Sequence, residues 1–187
     1  MHMIYDLHTS VLLFIYIVSI FVIALVNQFL RLGKRRILLL SVLSLYVLGL
    51  IKITVFPFTF EHFGWYDQIP YMSVQLVPFR TIQRLCYNHN YVQIFGNLLL
   101  LVPIPFFLYL FKKTMSRFRM ALYSIGISLF IEMLQFLINV ITKICNHVVD
   151  VDDLILNSLG SLLFILVFYN SFEFFDSLID DILKKKK

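Results

Sequence analysis

Long apolar runs alternate with short basic breaks along this chain. A helix needs about 20 predominantly apolar residues to cross the hydrocarbon core of a bilayer, and about five segments reach or approach that length. They are Ser10–Leu30, Ile37–Phe56, Tyr91–Phe111, Phe118–Val140 and Leu154–Phe172. The pattern predicts an all-α fold, a polytopic membrane helical bundle. Pro103 and Pro105 fall inside the third run and predict a kink whose freed carbonyls need a neighbour or water. From Pro57 to Asn90 the runs give way to an unusually long connection. Within it Val74–Ile82 is apolar, too short to span and broken by Pro78, which predicts a partly re-entrant or interfacial segment. Trp65 and Tyr66 suit a membrane-interface belt.

Polar residues inside the runs recur at helical spacing. Ser124, Ser128, Glu132, Gln135 and Asn139 fall within an arc of about 80° on a helix of 3.6 residues per turn, a single hydrophilic stripe. The acidic run from His147 to Gly160 puts Asp150, Asp153, Asn157, Gly160 and Ser161 within about 100°, with Asp152 pointing the other way. Glu132 sits near the middle of its span, where an ionised carboxylate costs about 2.5–3.5 kcal/mol on insertion scales. An interhelical hydrogen bond contributes only about 0.6 kcal/mol, so packing glue accounts for Asn97 and Gln135 but not for Glu132. Glu132 must therefore face the bundle interior, paired, protonated or in water. Gly160 and Ser161 read as close-packing residues, and Lys52 as a side chain snorkelling to the headgroups.

Composition agrees with the spans. The 187 residues are 60% hydrophobic and 14% charged, with mean hydropathy +0.85, against about 25% charged residues in a soluble domain. The net charge of +5 resides in short blocks between spans, which argues for topology signals and against nucleic-acid binding. Arg31, Lys34, Arg35 and Arg36, then Lys112, Lys113, Arg117 and Arg119, then Lys184 to Lys187 mark alternate connections. The positive-inside rule then predicts an outside N-terminus and a cytoplasmic C-terminus. Four regions follow: a two-helix membrane region over 1–57, an outer aromatic loop over 58–90, a three-helix core over 91–172 and a basic tail over 173–187. Cys86 and Cys145 both fall on the predicted outer side, where a disulfide is permitted. No cysteine and histidine spacing of metal type occurs, and of the five histidines only His147 adjoins the acidic run.

At these residues the chain resembles the VanZ-like membrane protein family. The matching pieces are Leu76-Val77-Pro78-Phe79 with Thr81-Ile82, Gly96-Asn97-Leu98 followed by Pro103, Ile131-Glu132-Met-Leu-Gln135-Phe136, and Asp150-Val-Asp152-Asp153-Leu-Ile-Leu-Asn157-Ser-Leu-Gly160. They stand in the family's order over residues 75–165. The chain departs from the family with Gln75 for asparagine, Ile104-Pro105 for Leu-Gly, and His147 where an arginine commonly precedes the acids. The resemblance implies a bacterial plasma-membrane protein whose relatives confer low-level resistance to teicoplanin-type lipoglycopeptides.

The residues themselves suggest a site near the outer edge of the bilayer. Glu132, Asp150 and Asp153 are the candidate catalytic carboxylates, since clustered acids of differing burial can divide into acid and base. Asn97, Gln135, His147, Asn157 and Arg80 are candidate substrate-binding residues, with Arg80 or His147 placed to receive a lipid phosphate. The acids could also hold a hard divalent cation through oxygen ligands. Beyond the lipid bilayer itself, the partner implied is a cell-wall lipid precursor or a lipoglycopeptide. A binding protein without turnover, or a proton-coupled transporter with Glu132 as relay, are the alternatives.

Overall fold

The computed structural model describes residues 2–61 and 74–184. In chain order, β1 (His2–Tyr5) leads into α1 (Thr9–Leu30) and α2 (Lys34–Val55), and β2 (Phe58–Glu61) pairs back antiparallel on β1. Then follow β3 (Val74–Gln75), the short α3 (Arg80–Tyr87), α4 (Tyr91–Leu100), α5 (Pro103–Phe111) and the long α6 (Arg117–Thr142). β4 (Val149–Asp150) pairs parallel with β3 and runs directly into α7 (Val151–Phe168), and one 3-10 turn separates α7 from α8 (Phe172–Lys184). Five helical stretches are long and apolar enough to cross a membrane: Thr9–Leu30, Lys34–Val55, Tyr91–Phe111, Arg117–Thr142 and Val151–Lys184. The protein is a multi-pass membrane protein built as an all-α bundle.

α7 is the centre of the bundle, packed against α3, α4, α5 and α6. Its crossing with α4 is set by Gly160, where an added Cβ would lie 1.7 Å from the Leu98 carbonyl oxygen. No other residue allows the two backbones so near. The kink predicted in the third span is real, and its backbone is satisfied inside the bundle. Pro103 and Pro105 lack the N–H groups that would have bonded the Leu99 and Leu101 carbonyls. The Val102 N–H takes the first at 3.3 Å, and the second accepts from the Ile104 N–H and the Ser161 hydroxyl, each at 3.1 Å. The Tyr46 hydroxyl donates to the Leu100 carbonyl at 2.7 Å.

Two parts of the chain are more ordered than the hydrophobic pattern predicts. Residues 58–90, expected as one loop, contain β2, β3 and α3. Within it Val74–Ile82, expected as a partly re-entrant or interfacial segment, comprises a strand, a turn and the start of a helix. Trp65 and Tyr66, placed in an interface belt, lie outside the described residues. At the other end, residues expected as a basic tail form α8, which packs on α2 and α5. Phe172 is fully buried there against Phe106, Tyr109, Phe164 and Tyr169. One turn on, buried Asp176 accepts from both Arg35 and Lys113, and Arg35 reaches on to Asp180 at 3.4 Å and the Leu110 carbonyl at 3.2 Å. These contacts gather the α1–α2 link, the α5–α6 link and α8 at one end of the bundle. Cys86 and Cys145 are both exposed, and no disulfide joins them among the described residues.

Candidate functional site

The acidic run lies at the start of α7, at the end of the bundle remote from Asp176. Asp150 is its N-cap, and its side chain accepts from the Asp152 N–H at 2.9 Å, satisfying one of the unpaired donors of the first turn. The β3–β4 pair holds that cap in place, and Gln75 adds a side-chain bond to Asp150 at 3.3 Å.

Three neighbouring aspartates then take three different roles. Asp152 is fully buried and turned away from the polar face, where it accepts from the Phe79 N–H at 2.5 Å, the Thr81 N–H at 2.7 Å and the Ile82 N–H at 3.1 Å. Those are donors at the start of α3, whose own N-cap, Phe79, offers no side-chain bond and sits in the left-handed region at φ 66°. Asp152 thus caps another helix across space and offsets a strained backbone. Asp153 faces the opposite way, accepts from the Asn97 amide of α4, and lines a cavity. Asp150 lines the same cavity while serving as cap.

The cavity measures about 320 Å³ and lies between α2, α3, α4, α6 and α7. From α6 it receives Glu132, buried, whose carboxylate accepts from the Asp150 N–H at 3.0 Å. Gln135 lies one turn on; its amide N–H donates to the Thr54 carbonyl at 2.9 Å. Asn139 completes the stripe by tying the 143–148 turn to α6, donating to the His147 carbonyl at 2.6 Å and accepting from the Asn146 and His147 N–H groups at 2.8 and 3.1 Å. That turn delivers His147 to the cavity wall, with Nε2 3.0 Å from the Val55 carbonyl. Burial pushes the His147 pKa below its ordinary 6.5, so its ring is no permanent cation.

The lining joins three carboxylates to amides, hydroxyls, His147 and Arg84. Beside the three carboxylates, the side-chain oxygens of Asn157 and Gln135 are buried without a hydrogen-bond partner among the described residues. Asn157 is 2% exposed, so its unpartnered oxygen stands out against the rule that buried polar groups are bonded. No ion pair among the described residues reaches Glu132, Asp150 or Asp153. Nor do any three His, Cys, Asp or Glu side chains among them converge closely enough to hold a metal ion.

Of the candidates read from sequence, Glu132, Asp150, Asp153, Asn97, Gln135, His147 and Asn157 all line this one cavity, whereas Arg80 is exposed and does not. Arg84, one turn further along α3, lines it instead, with Thr54, Thr81 and Gln93. A helix over 80–87 would have put Arg80 and Arg84 on one face, but nothing in the sequence says which of the two reaches inward.

A family model described as VanZ/LLP1 matches residues 43–175, a stretch that takes in every cavity residue named above. No curated protein and no solved structure matches the chain.

Proposed function

The chain belongs to the VanZ/LLP1 family, and on that premise we propose that it protects a bacterial plasma membrane against teicoplanin-type lipoglycopeptides at low level. The acidic cavity, placed in the outer half of the bilayer, binds or acts on a cell-envelope lipid or on the lipoglycopeptide itself. One observation carries this reading: buried carboxylates and two unpartnered amide oxygens share a cavity inside a membrane bundle, and no ion pair among the described residues reaches those acids. Such a group is a standing expense in hydrocarbon unless it meets a ligand. The outer placement is supported by the basic links gathered at the opposite end, which the positive-inside rule assigns to the cytoplasm.

Glu132→Gln and Asp153→Asn keep size and an acceptor oxygen while removing the acid. Both variants should reach wild-type levels in the membrane and lose protection against teicoplanin. Retention of protection by both would overturn the reading. Capture without turnover is the second reading, favoured by the engagement of Asp150 in capping. Protection that rises in proportion to copy number identifies capture; protection at few copies per cell identifies turnover.

A further inference from the structure

Glu132 has two sides. Its carboxylate belongs to the polar cavity, and the residue also borders a second hollow of about 540 Å³ on the lipid-facing side of α6. That groove is walled by Leu129, Met133, Phe136 and Leu137 of α6 and by Val74 and Val149. The partition between the two hollows is the short β3–β4 pair. Successive side chains of a strand point to opposite faces, so Val149 lines the groove and Asp150 the cavity. An apolar channel open to the bilayer and an acceptor-lined chamber thus adjoin across Glu132.

We propose that groove and cavity are two halves of one amphiphile site: a single hydrocarbon chain lies along α6 over Leu129, Met133 and Phe136, and a head bearing hydroxyl or ammonium donors passes Glu132 into the cavity. The inference rests on the reading of the cavity as a ligand site and adds the chemical class of the ligand. A wholly apolar molecule would leave the buried oxygens of Asn157 and Gln135 unpaired, and a wholly polar one would leave the groove uncovered. A donor-rich head matches the lining, because carboxylates and amide oxygens accept.

The test uses the full chain in phosphatidylcholine nanodiscs and three hexadecyl probes that carry a diazirine on the chain and differ only in head: glucoside, primary ammonium and sulfate. Labelled residues are mapped by mass spectrometry, with exposed Phe21 of α1 as reference for ordinary lipid contact. The glucoside or the ammonium should label Met133 and Val149 about tenfold more than the sulfate, relative to Phe21. Which of the two leads identifies the head. Met133→Trp, at an exposed position, should abolish that excess without loss of folded protein. Equal labelling by all three heads at Met133 and Phe21 would overturn the inference. If Glu132→Gln and Asp153→Asn also lose protection, the cavity reading survives that failure; if they keep protection, it falls whatever the labelling shows.

Discussion

The two ends of this bundle both bury carboxylates and treat them oppositely. At the basic end Asp176 is held by Arg35 and Lys113, with Phe172 packed one turn away, and every partner is a fixed part of the fold. At the other end Glu132, Asp150 and Asp153 meet only neutral donors, a backbone N–H or an amide, and two amide oxygens beside them meet no partner among the described residues. A neutralised acid in a bundle builds structure, whereas an acid left to neutral donors retains the capacity to bind something else. Asp152 shows that the difference lies in partners rather than in position along the chain. It sits between Asp150 and Asp153, yet its oxygens are consumed by three backbone N–H groups of the 79–82 segment.

The severest way to break this contrast is Asp152→Ala. It strands three backbone donors, of which the Thr81 N–H is the buried one, and an unmade buried bond costs about 1–3 kcal/mol, so the loss should be about 2–3 kcal/mol and appear as a drop in membrane yield or in thermal unfolding temperature in detergent. An unchanged melting temperature would mean that α3 is held by something other than this cap.

Removing one charge at each end should then give opposite signs. Asp176→Asn leaves Arg35 and Lys113 without their common anion and should cost about 1–3 kcal/mol, the lower part of the range for a buried pair because both cations are partly exposed. Glu132→Gln keeps the acceptor for the Asp150 N–H and removes an acid that no ion pair among the described residues reaches, so stability should rise by about 1 kcal/mol. Parallel losses in the two variants, measured by the same thermal scan, would erase the distinction between a structural and a functional acid.

The sequence foretold these ends unequally. Five spans, the proline kink and the buried stripe Ser124–Asn139 follow from periodicity and length, because a membrane helix must satisfy its own backbone and can hide polar side chains only on one face. The same geometry turned Asp152 away from Asp150 and Asp153. What Asp152 meets could not be read, since its partners lie some seventy residues earlier and are backbone groups, which every residue carries alike. Arg84 displaced Arg80 for a related reason: the register of α3 over the cavity is set by that distant cap. α8 is not legible in the same way, because the pairing of Arg35 with Asp176 that seats it spans 141 positions. Local pattern decides which side chains share a helix face, and only the packed bundle decides which faces meet.

The smallest effect concerns His147, the titratable ring on the cavity wall. His147 is partly buried and outside the spans, and its burial outweighs the Val55 contact, so the folded protein favours the neutral imidazole. As pH falls through about 6.5 the unfolded chain takes up this proton first; the contribution to stability is whole above that value and shrinks as pH drops toward the lowered pKa. Glu132, Asp150, Asp153 and Arg84 line the same cavity, so the measurement is a difference between wild type and His147→Gln, which can keep a donor to Val55 but does not titrate. The gap in melting temperature should be flat above about pH 7 and should turn against wild type below about 6.5. A gap turning in favour of wild type on acidification would mean that His147 becomes the counter-charge of the carboxylates. The acid end would then pair its carboxylates with a cation, and the two ends would differ in degree rather than in kind.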